Sequence, residues 1–290
     1  MRLRGSAPLG GRLLLLAAAV LFSTGGAAVK GTGLNAWQVA GSRSLIAALA
    51  VLVLLPESRR AWRWRYVPVA VAYAATLLLY VNATKLTTAA NAIFLQGSAP
   101  LFVLLLNPLL LREQVRRSDL LLMTAVAFGM ALVFAGHDHA NATAPDPLRG
   151  NLLGGASAVT WALTIIGLRW IGRGAPDESG GGLATVSMGN LLASAAALPL
   201  AFPFPAFRSA DLLIVLWLGI FQVALAYICL TRGIRTVPAV ETTLLLLLEP
   251  ALNPVWAWII HGENPSPHAI VGGLVIFCSV ALMSLSKLKA

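Results

Sequence analysis

Charge is what this 290-residue chain has least of. Asp, Glu, Lys and Arg together make up 11% of it, against roughly 25% in soluble globular domains. Apolar residues reach 58%, more than a soluble core can hide, so a polytopic membrane protein is expected. Cysteine is nearly absent. Cys229 and Cys278 both fall in apolar stretches, which excludes a disulfide framework and gives no metal-ligand spacing. The four histidines lie near or beyond the ends of apolar runs. No Ser–His or paired-Asp arrangement therefore sits at membrane depth, and neither G-x-S-G nor G-x-G-D occurs, so the chain is read as no enzyme. The loop G-x-x-x-x-G-K-[ST] is missing as well, so primary active transport would need a partner subunit. No ring-like polar filter segment of a channel is visible. Long polar stretches are also lacking: the longest loops, Gly136–Arg149 and Gly172–Gly182, are too short for a soluble domain.

The net charge of +10 would suggest a nucleic-acid partner in a soluble protein. Here the basic residues sit between apolar runs, where they serve orientation, and nucleic acid is set aside. The triplet His137-Asp138-His139 has metal-like chemistry, but a single loop without further ligands reads as a solvated turn. No metal and no cofactor are expected. Asn82-Ala83-Thr84 and Asn141-Ala142-Thr143 match the glycosylation pattern by chance at this composition.

Ten apolar segments can be marked, each near the length that spans a bilayer. They run over Arg12–Val29, Ala36–Leu55, Val67–Ala83, Ala89–Leu111, Leu120–Ala135, Gly150–Ile171, Leu183–Ala201, Asp211–Thr231, Ala239–Ile260 and Ala269–Ser286. Pro56, Pro145, Pro147, Pro265 and Pro267 punctuate them, and Gly180-Gly181-Gly182 reads as a loop tip. The basic start and short apolar run of the first segment fit a cleaved signal peptide. It echoes the sixth segment, however, and is read as retained.

That echo belongs to a duplication. At a spacing of 139, Gly11-Arg12-Leu13-Leu14 is repeated by Gly150-Asn151-Leu152-Leu153. At a spacing of 150, Ala89-Ala90, Pro100 and Glu113 are repeated by Ala239-Val240, Pro250 and Glu263, with Lys85 opposite Arg235. The Lys/Arg census then sets orientation. With the N-terminus in the cytoplasm, sixteen basic residues fall inside (Arg2 and Arg4 through Lys287 and Lys289). Four fall outside: Lys30, Lys85, Arg149 and Arg208. Five helices per copy, an odd number, make the second copy enter from the opposite side. The expected fold is an all-α polytopic membrane protein of ten transmembrane helices in two inverted five-helix repeats. Residues 1–137 form the first repeat, 138–149 an external connecting loop, and 150–290 the second, with both termini cytoplasmic. Inverted repeats support alternating access.

Ten spans in two inverted sets, with Ala-Ala…Pro…Glu near the end of each, resemble the drug/metabolite transporter superfamily. The EamA-type branch is most similar, and within it the YddG-type exporters of aromatic amino acids. The residues carrying the resemblance run from Lys85 to Glu113 and from Arg235 to Glu263. The resemblance implies a central cavity walled by the third, fourth, eighth and ninth helices, helped by the first and sixth, with the fifth and tenth peripheral. It also implies a bacterial cytoplasmic (inner) membrane and a small-molecule substrate.

Within that frame, Glu249 is the acid nearest a helix midpoint, immediately before Pro250. A charge there costs at least about 2.5–3.5 kcal/mol on insertion scales, so a role or a partner is expected. Two readings stand: a contact for a substrate ammonium or carried proton, and a packed, hydrogen-bonded residue. Tyr80, Trp161 and Tyr227 are candidates to stack on a flat substrate, and Asn91, Gln96 and Gln222 to hydrogen-bond it; for each aromatic, plain packing is the competing reading. Pro100 and Pro250 are the helix-break and gating candidates. Arg43, about two turns from the external interface, either binds a carboxylate or snorkels outward. Trp62, Trp64, Tyr66, Trp256 and Trp258 read as interfacial belt residues, and Gly25-Gly26 and Gly154-Gly155 as close-packing surfaces.

The expected function is a secondary exporter of aromatic or other bulky apolar amino acids working by alternating access. Organic cations and other metabolites are the alternative. A sugar-phosphate or nucleotide-sugar exchanger is disfavoured because only Arg43 qualifies as a buried cation, and an intramembrane enzyme or channel belongs to a different class. Oligomeric state is open, with a monomer compatible.

Overall fold

The computed structural model describes residues 9–60, 62–110, 117–136, 140–172, 180–203, 208–233, 236–237 and 245–288. Several residues singled out above lie outside them: Arg2, Arg4, Glu113, His137, Asp138, His139, Arg235, Ala239, Val240 and Lys289.

The described chain is helical. In order come α1 (Leu9–Ser23), α2 (Gly25–Lys30), α3 (Ala36–Leu54), α4 (Pro56–Arg60), α5 (Val67–Leu86), α6 (Ala89–Gln96) and α7 (Ala99–Leu110). Then follow α8 (Arg117–Ala135), α9 (Pro147–Gly172), α10 (Gly181–Ala201), α11 (Ser209–Trp217), a π-helical stretch (Leu218–Leu225), α12 (Ala226–Gly233), α13 (Leu248–His261) and α14 (Pro267–Leu288). Among the described residues the only β pairing is an isolated bridge between Asn141 and Ala144. Among the described residues, seven helical runs are long and apolar enough to cross a membrane: Leu9–Lys30, Ala36–Leu54, Trp64–Leu86, Ala89–Leu106, Pro147–Leu168, Gly181–Ala201 and Ser209–Gly233. Met123–Ala135 and Pro267–Leu282 are shorter apolar helices. In hydrocarbon, every backbone polar group must be satisfied within the segment, and the helix does this. The outer surface agrees, because Leu49, Val53, Leu121, Phe128, Leu213 and Leu274 all project outward. An exterior this apolar needs lipid around it. The protein is an integral membrane protein.

Local chemistry explains the ends and the breaks. Asn35 and Gln38 form a reciprocal capping box at the start of α3. Thr88 accepts from the Asn91 backbone N–H to start α6. Gly262, in the left-handed region at φ 63, closes α13. The fourth span is interrupted at Gly97-Ser98, so the break precedes Pro100 and leaves the proline in the first turn of α7. Pro250 occupies the same place in α13, which begins at Leu248. A first-turn proline lacks only an N–H that has no helical partner anyway.

Packing is organised by long helix–helix contacts. The α5 helix lies along α9, α10 along both α3 and α5, and α1 along α12 and α13. Helix α8 lies along α14. At that crossing, a Cβ built on Gly129 would stand 2.8 Å from the Gly272 carbonyl, and one built on Gly272 2.5 Å from the Gly129 carbonyl. Only glycine permits so close an approach. Tyr66 is a correction to the belt expectation: it is wholly buried with Val69, Ile171 and Ala184, while Trp62 and Trp64 are exposed.

Candidate functional site

The middle of the bundle carries a concentration of polar and aromatic side chains. Arg43, from α3, is 1% exposed. Its Nη1 donates to Gln222 Oε1 at 3.3 Å and its Nη2 to the Leu77 carbonyl at 3.5 Å. Both are longer than the usual 2.7–2.9 Å of a charge-assisted bond. The snorkelling expectation for Arg43 is thereby corrected: α3 turns this residue into the protein, where Gln222 meets it. Gln222 lies within the π-helical stretch, a widened turn that often marks functional positions. A Cβ on Gly25 would stand 2.9 Å from Gln222 Nε2, so the break between α1 and α2 makes room for this amide.

Tyrosines surround the guanidinium. Tyr73, Tyr80 and Tyr227 all lie within its electrostatic reach. The rings of Tyr73 and Tyr227 meet edge to face at 5.5 Å. Phe22 adds a second edge contact to Tyr227 at 5.1 Å. Tyr80 accepts from the Asn253 side-chain amide at 3.3 Å. Asn253 is fully buried, and a Cβ built on Gly26 would stand 2.3 Å from its Oδ1. Half-buried Glu249 acts electrostatically on Tyr80 and Tyr227, the same two phenols that Arg43 reaches. Trp161, also half-buried, packs against the apolar cluster containing Tyr227, Tyr73 and Leu77.

Of the sequence candidates, Tyr80, Gln222, Tyr227 and Glu249 are therefore brought together, with Trp161 against their apolar wall. Asn91 is elsewhere. It is buried and donates to Asn151 Oδ1 at 3.1 Å and to Thr87 Oγ1 at 3.4 Å, tying α6 to α9. Gln96 is half-buried at the end of α6, just before the break. Pro100 lies beside a small void lined also by Leu101, Leu104, Met123, Val126, Ser279 and Val280, on the side of α8 and α14. Trp256 is not a belt residue: its indole donates to Ser23 Oγ at 2.9 Å, at the break in the first span.

Sequence reasoning missed Tyr73, Asn253 and a buried ion pair. At the end of the bundle where α2 stops and α6 starts, Lys30 Nζ stands 3.3 Å from Glu263 Oε2, with both side chains buried. Glu263 Oε1 accepts from the Ala89 backbone N–H at 2.5 Å, which places a carboxylate at the start of α6. Lys30 also donates to the Thr87 carbonyl at 2.8 Å and to the Thr143 carbonyl. Burial pushes the Glu263 carboxyl above its ordinary value, and Lys30 and the Ala89 N–H oppose that shift. Nearby, Lys85 donates to the Thr32 carbonyl at 2.8 Å, and buried Asp211 accepts from the Gly33 N–H at 2.8 Å. Glu263 falls beyond the end of its apolar segment and its partner lies 233 positions away, so nothing local marks the pair. The recurrence of Glu at the end of both copies was the available signal.

Comparison with known proteins adds a family. The model of the EamA-like transporter family matches this chain twice, over residues 9–135 and 148–285. An uncharacterized transporter of Methanothermobacter thermautotrophicus is 24% identical over 214 residues, covering 71% of this chain and 60% of that protein. One from Clostridium kluyveri is 32% identical over 80 residues, covering 28% of this chain and 26% of that protein. The chain thus spans about a quarter and about three-fifths of the curated relatives it matches. A crystal structure superposes with a TM-score of 0.62 at 21% identity, over 97% of this chain and 99% of that one, which shows a shared fold.

Proposed function

The chain belongs to the EamA-like transporter family, and we propose that it exports aromatic or other bulky apolar amino acids from the cytoplasm by alternating access. The observation that carries this reading is the central assembly of Tyr73, Tyr80 and Tyr227 with Glu249 acting on two of them. Aromatic faces suit a flat side chain, and a carboxylate beside them suits an ammonium. The transport frame in this reading is ten helices in two inverted repeats, residues 1–137 and 150–290, joined by an external loop at 138–149. The double family match supports the duplication. So does the spacing of the helix breaks: Gly97 and Leu247, 150 positions apart, both precede a half-helix that carries proline in its first turn.

On this reading both termini are cytoplasmic, the membrane is a bacterial inner membrane, and the Lys30–Glu263 end faces outward. The buried pair then closes the outer end of the pathway. Exchanging the conformations of the two halves opens that end and closes the other. Purified protein in proteoliposomes, given Phe, Tyr, Trp and Met with and without a pH gradient, tests the proposal. Saturable movement of at least one of them is expected. Failure to move any of the four at any gradient removes the substrate assignment. Competition by sugar phosphates, or transport of quaternary ammonium compounds in place of amino acids, redirects it to another substrate class.

A further inference from the structure

A buried arginine with no acidic partner is an expensive object in a membrane protein. Arginine keeps its charge at any physiological pH, and a buried charge needs a counter-charge or a full set of hydrogen bonds. Arg43 has neither among the described residues. Among the described residues no carboxylate pairs with it, and its electrostatic neighbours are the phenols of Tyr73, Tyr80 and Tyr227. Its two hydrogen bonds are long, at 3.3 and 3.5 Å. Its buried Nε has no partner among the described residues.

The opposite charge nearby does not repair this. Glu249 and Arg43 both act electrostatically on Tyr80 and on Tyr227. No ion pair joins them among the described residues. The two opposite charges thus share neighbours without pairing. The complement is a zwitterion whose carboxylate and ammonium sit on one carbon and whose side chain is apolar.

We propose that Arg43 is the carboxylate-binding residue of the transport site, with Gln222 and the Leu77 carbonyl as the contacts that hold its guanidinium while the site is empty. A carboxylate offers the guanidinium fork two short charge-assisted bonds in place of two long ones, so the exchange favours the ligand. Gln222 then becomes free to bond the ligand in turn. The ammonium half of this picture rests on the amino-acid reading above; the carboxylate half stands on Arg43 itself.

Three probes separate the two halves: L-tryptophan (both groups), tryptamine (the amine alone) and indole-3-propionate (the acid alone). Their binding to the purified full chain is measured by thermal shift and by competition in proteoliposomes. Wild type is expected to bind tryptophan best and indole-3-propionate measurably. Arg43→Gln is expected to weaken both acids by roughly 10- to 100-fold, the loss of a charge-assisted bond pair, while tryptamine changes little. Arg43→Lys, which retains charge without the fork, is expected to lose at least about tenfold for the acids, and it serves if the Gln variant does not fold. Equal acid affinity in wild type and variant, or no binding of either acid by wild type, overturns the assignment. Binding of indole-3-propionate through Arg43 without any movement of tryptophan upholds Arg43 and removes the amino-acid reading instead.

Discussion

Gly26→Ala adds one methyl group at the tightest point of the central assembly. Its Cβ would stand 2.3 Å from Asn253 Oδ1 and 3.0 Å from Ala89 Cβ. Neither neighbour can yield easily. Asn253 is wholly buried and donates to Tyr80 at 3.3 Å, and its helix is tied to the first span by Trp256 on Ser23. Either α13 backs away from α2, or Asn253 rotates and gives up its bond to Tyr80. Overpacking costs about 1–3 kcal/mol, and the lost hydrogen bond about 0.5–1.5 kcal/mol. The total of roughly 1.5–4.5 kcal/mol falls on the conformation seen here, in which α2, α6 and α13 meet, and not on one in which they part. An equilibrium between the two shifts by about 10- to 2,000-fold. The assay is twofold: labelling of single cysteines placed along α2 and α13 from outside, and substrate exchange in proteoliposomes. Labelling is expected to rise and exchange to fall. Gly10→Ala, with nothing within 4 Å, is the control. Adding Asn253→Ala to Gly26→Ala is expected to restore the packing share of the loss. Wild-type labelling and exchange in Gly26→Ala would refute the reasoning.

Three further outcomes are expected. Glu249→Gln abolishes the pH-gradient dependence of transport while leaving exchange, if Glu249 carries the coupled proton; unchanged gradient dependence in flux assays removes it from that role. Tyr80→Phe strips the acceptor from the Asn253 amide and costs about 1–3 kcal/mol of stability, read as a lowered melting temperature in detergent. Because Glu263 is held above its ordinary value of 4.5, its contribution to stability is fully present below that value and is lost as pH rises through the raised one. Melting curves taken across that window should show Glu263→Gln with a flatter slope than wild type; parallel slopes count against the burial argument.

How much of this could be read in the sequence depends on how far each feature reaches along the chain. The long apolar runs near Ala36, Val67 and Gly181 announce their helices because a bilayer admits little else. Pro100 and Pro250 mark the broken spans, although the breaks fall just before them, where Gly97-Ser98 and Leu247 leave the helix. Burial direction is another matter. Arg43 stands two turns from a helix end, which along a single helix looks like a snorkelling position; only Gln222, 179 residues away, shows that it faces inward. Tyr66 sits beside Arg63 and Arg65 like a belt residue, yet Gly181 leaves a slot for its ring, with a built Cβ only 2.9 Å from the hydroxyl. Lys30 and Glu263 were each visible as charges and invisible as a pair. Non-local pairing is not written in periodicity.

The glycine crossing of α8 and α14 bears on how the molecule can move. With backbones this close, sliding past one another means collision, so relative motion there is confined to rotation about the contact. The crossing joins a helix from before residue 137 to one from after residue 150. On the alternating-access reading proposed above, it serves as a fulcrum off to one side of the pathway. Small displacements at the fulcrum become large ones at the far arm, where α1 lies against α12 and α13. Substituting Gly129 or Gly272 would then push the two helices apart and remove the fulcrum without touching any residue proposed to meet the substrate.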